Sequence, residues 1–88
     1  MNGATQAAAP LLFDAKTVHT LIFDPRRFKR RAAEAWALGH GFASAEPVPT
    51  AKDYRLRVAH ADAFYKGTFR TVDVAEGVRA LVAEPKGV

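Results

Sequence analysis

The fold of this chain is decided by residues 24–42, which read DPRRFKRRAAEAWALGHGF. Asp24 is a good helix N-cap, and the proline that follows presets the helical φ angle without losing an amide hydrogen bond. At the other end, Gly41 suits the left-handed position after a helix, and Phe42 supplies the apolar residue that often accompanies it. The stretch therefore predicts one helix that begins at Pro25 and is ended by Gly41.

Placing each residue at 100° per step divides this helix into two faces. The inner stripe is predicted to contain Phe28, Ala32, Ala35, Trp36 and Gly39, with Leu38 at its edge. The opposite face is predicted to contain Arg26, Arg27, Arg30, Ala33, Glu34 and Ala37. Since a lone tryptophan on an inner face usually anchors a small core, we expect Trp36 to be a core residue.

Five of the six residues at positions 26–31 are basic, namely Arg26, Arg27, Lys29, Arg30 and Arg31. The helix N-terminus already carries about half a positive charge, so each cation there costs roughly 0.3–1 kcal/mol. A phosphate or carboxylate would offset this cost because it would meet both the side chains and the free amides of the first turn. The alternative is a solvated face, and neutralisation by the protein's own acids would remove the reason for proposing a docked anion.

The composition is that of one small globular domain. The chain has 88 residues, of which 49% are hydrophobic, and a formal charge of +4, which favours anionic partners without naming one. There is no cysteine, so disulfides and thiolate metal sites are excluded. No apolar run approaches the roughly 20 residues that span a bilayer, and the first residues lack a basic export-signal region. We therefore expect a cytoplasmic protein with no membrane partner.

The rest of the chain reads as short strands. β-Branched and apolar residues predict strands at 18–23, 69–74 and 78–83, and the last of these, as the most apolar, is placed at the centre of the sheet. Residues 42–50 have room for a further strand, which two prolines confine to an edge or a loop. Gly77 is expected to supply the positive φ angle of the turn before the last strand.

Residues 52–60 alternate between apolar and basic side chains, as in a strand with one buried face. Tyr54, Leu56 and Val58 are predicted to face one way, and Arg55 and Arg57 the other. Together, the predicted helix and strands give an α+β fold with the order β-α-β-β-β. In this fold one main helix packs on a small, mostly antiparallel sheet of four to five strands. The predicted organisation is a flexible N-terminal segment at 1–16, one domain at 17–84 and a tail at 85–88.

Several short runs, each present once, follow one another along the chain in an order that matches a known pattern. They are Trp36 with His40-Gly41-Phe42, then Tyr54-Arg55-Leu56-Arg57, Phe64, Gly67-Thr68-Phe69-Arg70-Thr71-Val72 and Gly77-Val78. Over about residues 28–84 this pattern resembles a small domain of tailed-phage and prophage genomes, found alone or attached to head-region proteins such as prohead proteases. Leu56 stands where that family has an aromatic residue, and residues 58–60 replace a polar run. The resemblance implies a phage or prophage setting and no agreed activity.

The sequence shows no pattern typical of a catalytic or metal site. His19, His40 and His60 lack metal-ligand spacing, and the carboxylates are dispersed. Ser44, the one serine, has no nucleophile-elbow motif around it, and no glycine-rich loop opens a helix. We therefore expect a non-enzymatic protein without cofactor or metal.

The sequence favours a phage or prophage accessory module that binds an anionic partner, most simply nucleic acid, through the basic start of the helix. Arg55, Arg57 and Arg70 are secondary candidates for this surface, with Tyr54 and Tyr65 as possible stacking aromatics. One alternative is a protein-interaction or virion-accessory module, in which the arginines meet an acidic protein surface or an exposed strand edge adds to another sheet. A further alternative is a small inhibitor of a host defence system.

Overall fold

A computed structural model of the chain describes residues 14–42 and 45–87. Residues 1–13 of the expected flexible segment, together with residues 43–44 and Val88, lie outside the described residues. The regular elements are β1 (Val18–Phe23), α1 (Arg30–Gly39), β2 (Glu46–Val48), β3 (Tyr54–Arg57), β4 (Arg70–Ala75) and β5 (Val78–Val82). Two short 3₁₀ turns, Ala15–Thr17 and Ala61–Ala63, precede β1 and follow β3. No helix in these described ranges is long and apolar enough to cross a membrane.

The five strands form one sheet in the order β2-β3-β1-β5-β4, and every neighbouring pair is antiparallel. The predicted α+β class, one helix on a small antiparallel sheet, is confirmed, and β2 is the short edge strand that the prolines allow. The last strand, β5, is an interior strand as its apolar sequence predicts, but the middle strand of the sheet is β1. β1 is buried on both faces, whereas β5 exposes Arg79 on one of them.

The core lies between α1 and the sheet. Its largest member, Phe23, is fully buried and meets Phe28, Trp36 and Tyr54 at ring-centroid distances of 5.1, 5.8 and 6.4 Å. Leu21 is buried beside it in the same cluster. Burying one such side chain contributes about 1.5–3 kcal/mol, so β1 supplies much of the stability of the fold.

The helix begins at Arg30 and not at Pro25. Asp24 instead closes a separate turn, in which its carbonyl accepts hydrogen bonds from the amides of Arg27 and Phe28 at 3.0 and 2.9 Å. Its carboxylate accepts one from the amide of Arg26 at 2.9 Å. The chain then becomes extended at Lys29, with φ −85° and ψ 165°, before it turns into α1. Asp24 does cap a turn, as its residue type predicts. The chain leaves that turn before α1 begins, so Asp24 is not the N-cap of the helix.

The predicted inner stripe of the helix is also wrong. Ala33 and Ala37 are buried, whereas Ala32 and Ala35 are exposed. Trp36 is half-buried and packs against the outside of the core. The observed face is rotated by about one residue, roughly 100°, from the predicted one. The cause is Phe28, which set the phase of the prediction although it precedes the helix.

The end of the helix follows its prediction. Gly41 has a φ angle of 91°, and its amide donates to the carbonyl of Leu38 at 3.1 Å. The amide of Phe42 donates to the carbonyl of Ala37 at 2.8 Å, which completes a Schellman motif. The Phe42 side chain is buried in the core. The motif therefore fixes where the chain leaves α1.

Residues 85–86, at the start of the expected tail, are held by the body of the domain. Pro85 forms an isolated antiparallel bridge with Phe64, and the amide of Lys86 donates to the carbonyl of Ala63 at 2.8 Å. The segment after β5 is therefore fastened to the turn at Ala61–Ala63.

Candidate anion-binding surface

The basic residues at 26–31 are divided between two elements. Arg26 and Arg27 lie on the turn closed by Asp24, Lys29 is the N-cap residue, and Arg30 and Arg31 open α1. All five side chains are exposed. No described side chain caps the start of α1 and its first turn has no acidic residue, so the free amides of that turn have no side-chain acceptor in the described part of the chain.

Three of these five cations are paired with the protein's own carboxylates. Arg26 lies 3.3 Å from Asp24, Arg27 lies 2.9 Å from Glu76, and Arg30 lies 3.2 Å from Glu34. Within the described residues, Lys29 and Arg31 form no ion pair. The charge available to a docked anion is therefore smaller than the sequence suggests, although exposed pairs of this kind contribute only about 0–1 kcal/mol and can exchange partners.

Arg27 also has a packing role. The turn that carries it lies on the β4–β5 turn, where the amide of Asp24 donates to the carbonyl of Gly77 at 2.9 Å. Gly77 has a φ angle of 77°, as predicted, and a Cβ atom there would lie only 2.7 Å from Cδ of Arg27. A glycine is thus required both by the backbone conformation and by the closeness of the arginine stem.

Arg55 and Arg57 lie on the sheet face opposite the helix, as predicted. Directly opposed residues in antiparallel strands share a face, so the register places Ile22 between Arg55 and Arg79, and Thr20 beside Arg57. Both Ile22 and Thr20 are buried although none of the described helices covers this face. We infer that the arginine stems cover these two side chains, which is a structural reason for arginine on this strand.

The same two arginines are neutralised by neighbouring acids. Arg55 lies 2.8 Å from Asp53, and Arg57 lies 2.6 Å from Glu46 on the adjacent edge strand. The hydrogen bond from Arg55, helped by one from Thr50, holds the pKa of Asp53 below its usual range. This face is therefore charged but internally balanced.

Arg70 belongs to a third region. It is opposite Val82, which is buried on the helix side of the sheet, so it does not share a face with Arg55 and Arg57. The structure thus places the eight candidate residues in three locations and does not bring them together. The five residues at 26–31 form one group, Arg55 and Arg57 share one face of β3, and Arg70 lies apart from both.

The two tyrosines do not form a stacking platform. Tyr54 is half-buried against Phe23, and its hydroxyl donates to Glu34 of the helix at 3.1 Å. Burial and this hydrogen bond raise the pKa of Tyr54. Tyr65 is exposed but lies on a different segment, after the second 3₁₀ turn.

Sequence reasoning missed a cluster around His19. A register shift in β1 between Val18 and Thr20 marks an irregularity at this histidine. Its ring packs edge-on against Phe64 and Phe69, with ring-centroid distances of 5.9 and 5.6 Å. Its Nδ1 atom lies 2.6 Å from the hydroxyl oxygen of Thr20. Burial lowers the pKa of His19, and the positive charge of Arg57 and of His60 lowers it further. No feature of the strand sequence marks the irregularity.

This environment predicts a stability that depends on pH. Because the folded-state pKa of His19 lies below the ordinary 6.5, the unfolded chain binds more protons in this range. The contribution of neutral His19 is therefore complete above about pH 6.5, and it is lost as the pH falls from there through the folded-state pKa. Urea unfolding of the wild type and of His19→Gln at pH 7.5 and 5.5 measures this, and a larger loss on acidification is expected for the wild type. Equal losses in the two proteins would contradict it.

Comparison of the chain with protein-family models, curated proteins and solved structures finds no match. The resemblance to a phage domain therefore stays a prediction. Among residues 14–42 and 45–87, no three histidine, aspartate or glutamate side chains come together as metal ligands. The function must be argued from the surfaces described above.

Proposed function

We propose that this protein is a non-enzymatic binding module that docks a phosphate-bearing polymer, most simply nucleic acid, at the start of α1. One observation carries the proposal: among the described residues, no side chain caps α1, its first turn has no acid, and Lys29 and Arg31 form no ion pair. Both cations lie beside the free amides of that turn. Anions are favoured at such a position because both the helix dipole and the side chains attract them. The phage or prophage setting and the cytoplasmic location remain predictions from the sequence.

Because three of the five cations at 26–31 are paired with the protein's own acids, fewer cations are available to contact phosphates than the sequence suggests. If only Lys29 and Arg31 meet phosphates, the affinity for duplex DNA should fall roughly tenfold between about 50 and 200 mM salt. If Arg27 and Arg30 also leave Glu76 and Glu34 to meet phosphates, the loss should exceed roughly a hundredfold. The slope of affinity against salt therefore counts how many of the cations take part.

The test is an anisotropy titration of labelled single- and double-stranded oligonucleotides at two salt concentrations. The double variant Lys29→Glu/Arg31→Glu is expected to reduce binding at low salt at least tenfold without unfolding the domain, because both side chains are exposed. Lys66→Glu/Lys86→Glu is the matched control, since it changes the net charge equally at exposed residues outside this segment. Its affinity should fall much less.

Two outcomes would contradict the proposal. The first is an absence of oligonucleotide binding by the wild type at low salt. The second is an equal loss in the two double variants, which would show that net charge alone drives the association.

A further inference from the structure

The sheet has two edges, and they differ in how they are protected. Edge strand β2 has three residues and contains Pro47, and both features discourage pairing with another strand. Edge strand β4 has six residues and no proline, and only a register shift near its end interrupts it. No described element pairs with its outer side, so alternate N–H and C=O groups there are directed away from the sheet.

A groove of about 820 Å³ runs beside β4. Its apolar lining includes Phe69, Val72 and Val82. Val72 and Val82 lie on the helix side of the sheet, since Val82 is buried there and Val72 is opposite Ala80. The edge therefore offers both unpaired backbone groups and an apolar surface for alternate side chains of an added strand.

The charge of this groove opposes that of the whole protein. Within the described residues, five of the nine Asp and Glu side chains form ion pairs. Of the four that do not, Asp14, Asp73 and Glu84 line the groove, where Arg70 is the single cation among the described lining residues. Asp73 reaches the groove from the other face of the sheet, where it is directly opposite Arg79. A chain with a net charge of +4 thus presents a groove with an excess of two negative charges.

We propose that the outer edge of β4 is a docking site for an extended peptide segment of a partner protein that alternates apolar with basic residues. The edge would pair with its backbone, the groove would take its apolar side chains, and the three carboxylates would attract its lysines or arginines. The surface is separate from the start of α1 and does not depend on anion binding there.

Charge complementarity selects this occupant over three others. A second copy of the chain would bring the same three carboxylates, which would repel their counterparts. Residues 1–13 of the chain contain no lysine or arginine. Nucleic acid is disfavoured for the same reason as a second copy, since its phosphates would meet a negative groove.

The probe is a labelled decapeptide of alternating valine and lysine, titrated into the full chain by fluorescence anisotropy. We expect binding that is lost when lysines are replaced by glutamates and when central valines are replaced by prolines. In the presence of the peptide, amide chemical-shift changes should concentrate at residues 67–75 and spare residues 46–48 on the other edge.

The matched variant is Asp73→Asn/Glu84→Gln, which removes two charges without changing side-chain shape. It should weaken peptide binding about fivefold, as expected for two exposed ion pairs, and leave oligonucleotide binding intact or slightly stronger. Lys29→Glu/Arg31→Glu should leave peptide binding by the groove unchanged, so the two proposals can fail separately.

Three results would overturn the proposal: no binding of the lysine peptide, equal binding of the glutamate peptide, or shift changes confined to residues outside 67–75. A dimer that becomes stronger in Asp73→Asn/Glu84→Gln would also overturn it, because it would identify a second copy as the occupant.

Discussion

Replacing Leu21 by alanine should lower the free energy of unfolding by about 2–5 kcal/mol, whereas the same replacement at Leu38 should change it by less than about 0.5 kcal/mol. Leu21 is 0% exposed at the middle of the central strand, and Leu38 is 65% exposed on the helix. The removed atoms are identical, so the difference comes mainly from burial, with a smaller part from the different preferences of alanine for strand and helix. Because small domains have about 5–15 kcal/mol of stability, the Leu21 variant should be close to unfolding at 25 °C.

Urea unfolding of the two variants followed by circular dichroism measures this difference. Equal denaturation midpoints would contradict the placement of β1 at the centre of the sheet. A large loss in the Leu38 variant would show instead that its side chain is covered in solution. The slope of the unfolding transition should stay the same in both variants if each remains a two-state folder.

The strand positions could be predicted from the sequence because each depends on local pattern. Val18–Phe23 follows from β-branched and apolar residues, and the alternation around Leu56 gives both the strand and its orientation. The order of the strands could not be predicted in the same way. It requires that Ile22 and Thr20 be buried on the face opposite α1, and the arginines that lie beside them there come from neighbouring strands.

The candidate site shows the same division between local and tertiary information. The sequence shows the crowding of cations at 26–31 and two nearby acids that offset it, Asp24 and Glu34, but it does not show Glu76. Glu76 comes from a distant turn that meets Arg27, and Glu34 reaches Arg30 only because the helix includes both residues. The acids that line the β4 groove, Asp14, Asp73 and Glu84, are far apart in the sequence and are brought together by the fold.

The second large effect on stability concerns which face of α1 packs on the sheet. Ala33→Glu should destabilise the domain by several kcal/mol, because Ala33 is 0% exposed and a glutamate there would either bury a charge or push the helix off the sheet. Ala35→Glu should change the stability by less than about 0.5 kcal/mol, since Ala35 is exposed. Alanine and glutamate differ little in helix propensity, so the comparison reports the environment of each position.

Thermal unfolding of Ala33→Glu and Ala35→Glu decides between the two phases of α1. The sequence-based stripe, which counts Phe28 as helical, places Ala35 inside and Ala33 outside, and it predicts the opposite result. If Ala35→Glu is the variant that unfolds, the helix must begin before Phe28. In that case Lys29 could not be its N-cap residue, and the free amides beside Lys29 and Arg31 would be paired within the helix. The proposed anion site therefore depends on Ala33 being the buried residue of this pair.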